Sequence, residues 1–411
     1  MQVLASIDIG SETIKMVVAE VEGDDFNCLC ALEEESRGVE NGLIIEPDET
    51  IFAIKKLLKR VEENLGFKVT KTIVNVPEEE ADFKIGNSSV KIDSEDKEIA
   101  PSDIVHALQA SVKGKIDNHF DLVTVIPIMF KVDDTKTRFP KGMKGDSLSV
   151  KSVIVSAPKR DIYLVAKIME KCGLEVVDIM INSIGSYYSH RNESTDLATG
   201  ALINCGSDKI ETSIFNKGIV INNMVTLTGG RQVDKDIANV YKISLEDAEY
   251  LKKNLALAHP KHALSSDTES VVNRSGEKIT INQAEITELV AGRLQQMLNM
   301  VKNEINYLTK KEISFIIITG GLSELRDFSL LVESVFGNIA TVGKIKIVGA
   351  RNNTFAVSVG MIKYFDYKLK LRDQEFSILS SEDEEVLTQG SIKKNTNDSI
   401  MSKVFGIFFD N

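Results

Sequence analysis

Two stretches of this 411-residue chain carry residue types and spacings suited to phosphate chemistry. The first reads Val3-Leu-Ala-Ser-Ile-Asp-Ile-Gly-Ser-Glu-Thr-Ile-Lys-Met-Val-Val18. The second reads Gly200-Ala-Leu-Ile-Asn-Cys-Gly-Ser-Asp-Lys-Ile-Glu-Thr-Ser-Ile-Phe215. Each is an apolar strand, a polar residue, a glycine turn and a returning strand. Such a turn can aim consecutive backbone N–H groups, here at Gly10 and Ser11 or at Gly206 and Ser207, at a phosphate. Asp8 ends the first strand and can hold Mg²⁺ through water, because that ion dehydrates reluctantly. Lys15 adds a charge from deeper in the returning strand. In Ile317-Ile-Thr-Gly-Gly321, the glycines Gly320 and Gly321 allow a backbone to approach a flat ring closely. Alone, Asp8-Ile-Gly-Ser is an ordinary hairpin; the second copy and the paired glycines give it weight. The repetition points to two related halves facing a cleft. The copies differ where it matters: Asp8 in the first is Asn204 in the second.

The elements that must position these residues follow from periodicity. Pro47–Asn64 reads as a helix, with Ile51, Ile54, Leu57, Leu58 and Val61 at helical spacing and Gly66 as its stop. Ile73–Val76 and Val153–Ser156 read as buried strands that each end near a proline. The segment between them, about Phe83 to Ser152, looks inserted. It holds a strand at Ser89–Ile92, a helix opened by Pro101-Ser102-Asp103, and a strand pair at Val123–Ile126 and Ile128–Val132. The second half begins near Thr199. It contains a polar loop at His259–Lys278, a long amphipathic helix at Asn282–Leu308, a strand at Phe315–Ile318, and a helix at Thr354–Tyr364. The small residues Ala356, Ser358 and Gly360 of that last helix suit close packing.

At 43% hydrophobic and 27% charged, the chain has the composition of a soluble globular protein long enough for two or more domains. Its net charge of −12 argues against nucleic-acid partners and against attraction of the whole surface to anionic lipid. Cys28, Cys30, Cys172 and Cys205 form no CxxC pair, so reduced thiols are expected rather than structural zinc. The chain enters a strand almost at once, which predicts no signal peptide, and no apolar run reaches transmembrane length.

Asp8-Ile-Gly-Ser-Glu-Thr-Ile-Lys resembles the first phosphate loop of the actin, DnaK and sugar-kinase superfamily. Asn204-Cys-Gly-Ser-Asp-Lys sits where that superfamily has its second, and Ile317-Ile-Thr-Gly-Gly321 resembles its adenosine motif. Within it the chain most resembles the FtsA family of bacterial division proteins. The resemblance rests on Gly38-Val-Glu-Asn-Gly-Leu-Ile44, Val125-Ile-Pro127, Arg138-Phe-Pro-Lys-Gly-Met143, Cys172-Gly-Leu-Glu and Glu246-Asp-Ala-Glu-Tyr-Leu-Lys252.

The resemblance implies an α/β, actin-like two-lobed fold of duplicated ribonuclease-H-like domains with an inserted α+β subdomain. Subdomain IA would take residues 1–82, 159–196 and 352–371. The insert, IC, would take 83–158. Subdomain IIA would take 197–229 and 313–351, and IIB 230–312. A flexible linker at 372–398 and a membrane-targeting helix at 399–411 would follow. The resemblance further implies ATP and Mg²⁺ binding, filament formation, and a place on the cytoplasmic face of the cell membrane at the division site. Partners would be the C-terminal tail of FtsZ and later division proteins, with no nucleic acid. Nucleotide contacts would come from Asp8, Gly10, Ser11, Lys15, Gly206, Ser207, Gly320 and Gly321. Glu249 and Lys252 match family residues near the ribose and adenine, although a surface i,i+3 pair is the plainer reading. Arg293 falls where the family helix carries an arginine able to pair with the acidic tail; the plainer reading is a solvated helix arginine. A PilM- or MreB-like scaffold, or an actin-fold sugar kinase or phosphatase, are the alternatives. MreB lacks the insert and PilM lacks the terminal lipid helix.

The second phosphate loop departs from the family pattern of Asp-x-Gly-Gly-Gly-Ser/Thr. Asn204 supplies no carboxylate, Asp208 replaces a glycine, and Lys209 stands at the Ser/Thr position where it can offset Asp208. Asn182 lies where the connecting segment usually has Gln or Glu to orient water. The expectation is therefore ATP binding with at most a very weak ATPase. Beyond the acidic Ser380–Glu385 stretch, Ile400, Met401, Val404, Phe405 and Phe408 fall on one helical face, widened by Ile407 and Phe409. That segment is too short to span a bilayer but suits its interface, with Lys393, Lys394 and Lys403 as its few cations.

Overall fold

The computed structural model describes residues 2–378. Two five-stranded sheets share one topology. In the first, Glu175–Met180, Lys71–Asn75, Gln2–Ile9, Thr13–Glu22 and Asp25–Glu35 lie in that spatial order. In the second the order is Ala340–Val342, Phe315–Thr319, Thr199–Cys205, Ile210–Asn216 and Ile219–Thr226. In each sheet the strand that enters the glycine turn is central. It pairs antiparallel with its hairpin partner and parallel with the strand on its other side. Burial on both faces explains why these central strands read as continuous apolar runs. The repeated sequence is thus a repeated half-fold, and the two hairpin turns meet across the cleft between the halves.

Helix Pro47–Leu65 forms as its periodicity predicts, and Gly66 closes it at φ 77°, with its N–H donating to the Glu62 carbonyl at 2.8 Å. Helix Gln283–Leu308 is capped by the Asn282 side chain, which accepts from the Glu285 N–H. Within the expected loop at 259–278, a short turn spans Pro260–His262. Strand Thr268–Val272 pairs with Lys278–Asn282.

The inserted segment has its own core. Strands Asp82–Lys91, Ser147–Pro158, Phe120–Val132 and Thr135–Thr137 form a sheet in that order, covered by helix Pro101–Val112. The strand pair expected on either side of Pro127 is in fact one strand. Ser152 faces Pro127 and Lys151 faces Met129, so Ile128 is the extra residue of a bulge. A bulge is where a strand tolerates a residue with no N–H to donate.

The closing helix runs farther than expected, from Ala356 to Arg372. Its small residues do allow close packing: the Ser6 hydroxyl donates to the Ser358 carbonyl at 2.8 Å, and Gly360 faces Gly185 of helix Asn182–His190. The expected linker start at 372 is corrected. Arg372 is buried, Phe376 packs on the first core, and the Ile378 N–H donates to the Val3 carbonyl at 2.8 Å. Among the described residues no helix is long and apolar enough to cross a membrane. The membrane-helix residues Ile400, Met401, Val404, Phe405, Ile407, Phe408 and Phe409 lie outside the described residues.

Candidate nucleotide cleft

The two hairpins place a polar pair in the same register. Asp8 faces Lys15, and Asn204 faces Glu211. Asp8 is buried, with Lys15 Nζ at 3.7 Å from its Oδ2. Lys15, which looked deep in its strand, therefore lines the cleft with Asp8. Asn75 fixes the carboxylate. Its amide donates to Asp8 Oδ1 at 3.0 Å and to Asn182 Oδ1 at 2.9 Å, while its own oxygen accepts from the Ile9 N–H at 2.7 Å. Burial raises the Asp8 carboxyl above its ordinary value, and Lys15 opposes that rise.

Gly10 has no room for a side chain, because a Cβ would stand 2.8 Å from the Thr13 carbonyl oxygen. Ser11 Oγ accepts from the Gly42 N–H at 2.8 Å. This ties the first loop to the Gly38–Ile44 segment, which also crosses to the other lobe. There the Asn41 N–H donates to Asp208 Oδ2 at 3.1 Å. Asp208 is further held by Arg231 at 2.7 Å.

The second loop turns at Gly206, whose N–H donates to the Lys209 carbonyl at 2.9 Å. The Gly206 and Ser207 carbonyls then accept from the N–H groups of Gly230 and Arg231, at the start of helix Gly230–Tyr241. Gly320 backs this loop at φ 90°, and a Cβ there would lie 2.4 Å from Asn204 Oδ1. Glycine is thus required twice over, by its backbone angle and by lack of space.

Two adjoining cavities follow. One of about 120 Å³ is lined by Asp8, Gly10, Ser11, Lys15, Gly206 and Ser207, with Lys209, Glu211, Gly320 and Gly321. The other, about 350 Å³, is lined by Glu12, Gly206, Ser207, Gly230, Lys252, Lys253 and Gly321. Both hairpin loops and the double glycine meet here. Lys252 lines the larger cavity, but its ammonium is taken by Asp234 at 2.7 Å and the Gly230 carbonyl at 3.2 Å. Glu249 instead bonds Lys253, which reaches across the cleft to Glu12 Oε1 at 2.8 Å. The matching pair thus separates into a buried wall residue and part of an interlobe ion cluster. Arg293 is engaged by Asp236 and by Gln296 Oε1 at 2.7 Å.

Glu211 is the residue sequence reasoning missed. Its Oε2 accepts from Asn204 Nδ2 at 2.7 Å, and its Oε1 accepts from Asn182 Nδ2 at 2.9 Å and from Lys209 at 2.8 Å. A carboxylate therefore does stand beside Asn204, with three donors already on its two oxygens. The signal was available: Glu211 occupies in the second hairpin the register position that Lys15 occupies in the first.

Glu78 lies buried beneath this cluster. Burial, and then the Glu211 charge, push its carboxyl up to about 8. The folded state holds that proton more tightly than the unfolded chain. Stability therefore falls as pH rises from about 5 to about 8, where the unfolded chain has already ionised. Glu78→Gln stays neutral throughout, so its Tm relative to wild type should climb by several degrees across that window. Thermal melts showing a constant difference would refute the assignment.

Comparison with known proteins gives family matches over much of the chain. A family model described as "Cell division protein FtsA" matches residues 201–360, and one described as "SHS2 domain inserted in FTSA" matches residues 81–156. Together they span more than half of the chain. Cell division protein FtsA of Bacillus subtilis (strain 168) is 26% identical over 366 residues, covering 88% of this chain and 83% of that protein. FtsA of Pseudomonas aeruginosa is 24% identical over 375 residues, covering 88% and 89%. Among solved structures, a chain of the PilM–PilN type IV pilus biogenesis complex superposes with TM-score 0.56 at 14% identity, over 87% of this chain and 97% of that one. MreB5 of Spiroplasma citri bound to ADP superposes with TM-score 0.56 at 11% identity, over 90% and 98%. Ethanolamine utilization protein EutJ from Carboxydothermus hydrogenoformans gives TM-score 0.54 at 15% identity, over 89% and 90%. At these identities the structural likeness establishes the fold alone, the actin-like two-lobed fold, and the inserted module is the segment that the second family model matches.

Proposed function

The chain belongs to the FtsA family of cell-division proteins, and from that premise we propose that it is a nucleotide-bound scaffold tethering the division ring to membrane. In this reading it binds ATP in the cleft and polymerises. It grips the C-terminal tail of FtsZ and anchors through residues 399–411 to the cytoplasmic face of the cell membrane at the division site. Later division proteins would join through the insert. The observation that carries the nucleotide part is the meeting of both hairpin loops and Gly320–Gly321 around two adjoining cavities. A solved relative by fold, MreB5 of Spiroplasma citri, is bound to ADP.

Hydrolysis is proposed to be very slow or absent. Asn204 has no carboxylate to accept a proton, and Glu211 is occupied by Asn182, Asn204 and Lys209. Three donors on its two oxygens hold that carboxylate against its neighbours, which disfavours its reaching a water's proton. The residues proposed to touch nucleotide are Gly10, Ser11, Lys15, Gly206, Ser207, Gly320 and Gly321, with Asp8 beside Lys15 and Lys252 in the wall.

The apolar residues of 399–411 give one weak, reversible lipid contact per copy, and a polymer multiplies it. A co-sedimentation assay tests the tether as a whole. Full-length protein should carry a labelled FtsZ tail peptide down with anionic vesicles. Deleting 399–411 should leave both protein and peptide in solution. Arg293→Glu should sediment normally while peptide capture weakens by about tenfold or more, since the tail must displace Asp236 from that arginine. Vesicle binding that survives the deletion, or peptide capture unchanged by Arg293→Glu, would refute the corresponding contact.

A further inference from the structure

We propose that Lys209 is the cation that neutralises bound phosphate in this cleft, in place of a divalent metal held between the two hairpins. The inference rests on reading the cleft as a nucleotide site. Mg²⁺ at a phosphate site keeps several waters and takes one or two carboxylates, so a metal shared by both loops is held best where each hairpin offers one. The donor set here does not offer that. On the second hairpin the metal-side position is Asn204, whose amide N–H donates to Glu211. Glu211 itself accepts from Asn182, Asn204 and Lys209. On the first hairpin, Asp8 is held by Asn75 and faces Lys15.

What the cleft has instead is a lysine from each hairpin, set among carboxylates. The Lys209 side chain is 11% exposed and lines the smaller cavity opposite Lys15, whose side chain is 12% exposed. Its ammonium lies 2.8 Å from Glu211 in its own lobe and 2.6 Å from Glu79 in the other. The two carboxylates keep that ammonium charged, raising its pKa against the opposing effect of burial. The side chain is packed tightly under the crossing segment, for a Cβ on Gly42 would come 2.5 Å from Lys209 Nζ. An ammonium has three donors. Phosphate entering the cavity can take the donor now given to Glu79 while Glu211 keeps another. The loop that lost a carboxylate at position 204 thus carries an ammonium at position 209, both changes reducing the demand for a metal.

The test is equilibrium binding of ADP and ATP to the full chain, with Mg²⁺ present and with it chelated. Affinity of the wild type should change by less than about tenfold on chelation. Lys209→Met should lose more than about tenfold in the chelated buffer, and Lys209→Arg should retain most of the affinity. Asn204→Asp, which restores the lost carboxylate, should make binding metal-dependent. A wild type that loses tenfold or more on chelation overturns the proposal without any variant. So does a folded Lys209→Met that binds as wild type in the chelated buffer. Absence of nucleotide binding under both conditions overturns the nucleotide reading beneath the proposal, and the proposal with it.

Discussion

Gly360→Ala is expected to destabilise the protein by about 3 kcal/mol or more, enough to remove much of the stability of a typical domain. The added Cβ would sit 1.6 Å from the Gly185 carbonyl oxygen and 3.0 Å from the Ser189 nitrogen. Both are backbone atoms of helix Asn182–His190, so no side-chain rotation relieves the overlap and the two helices must separate. Gly185 is equally confined, with its own virtual Cβ 2.9 Å from the Val357 carbonyl oxygen. Separation would disturb Asn182, the first residue of that helix and a partner of both Asn75 and Glu211. A weakened cleft should accompany the lost stability. Gly292→Ala is the control. It lies in helix Gln283–Leu308 with nothing within 4 Å of its virtual Cβ, and should gain up to about 1 kcal/mol from helix propensity. Urea denaturation of both variants checks this, and a Gly360→Ala midpoint equal to wild type would contradict the packing described.

Lys368→Met should lose about 3–5 kcal/mol, because it leaves a buried carboxylate without its principal partner. Lys368 and Asp178 form an ion pair with side chains 6% and 2% exposed. The ammonium also lies over the rings of Tyr364 at 4.9 Å and Phe365 at 5.9 Å. Burial lowers the Lys368 pKa to about 8 and raises that of Asp178, while each charge opposes the shift of the other. Replacing both partners with apolar residues removes the uncompensated charge. Lys368→Met combined with Asp178→Leu should therefore recover most of the loss, a coupling that a double-mutant cycle on denaturation midpoints measures directly. Strict additivity of the two substitutions would argue against the pair.

The same buried pair marks where sequence reading stopped. The helix after Asn353 was legible to Tyr364 from its small residues. Its continuation through Lys368 to Arg372 was not, because charged residues at inward positions break the apolar stripe that reveals a helix. The partner that makes them tolerable, Asp178, is remote in sequence. Pro127 misled for a related reason. A proline signals the end of a strand unless a bulge in its own strand absorbs it, and the pairing of Phe120–Val132 with Ser147–Pro158 that reveals the bulge is a tertiary fact.

The doubled hairpin, the glycines that build its turns, the inserted module and the degraded second loop were all determined by the sequence itself. They are local: a turn needs its glycine, and a central strand its apolar run, wherever the chain folds. The tertiary structure alone decided which charges meet. It drew Lys209 toward Glu79, sent Lys253 across to Glu12, and turned Lys252 toward Asp234. Ion pairs between lobes join residues far apart in the chain, and their geometry exists only once both sheets face the same cleft. The carboxylate missing at position 204 was readable in advance; the ammonium that answers it became visible only when the two halves closed.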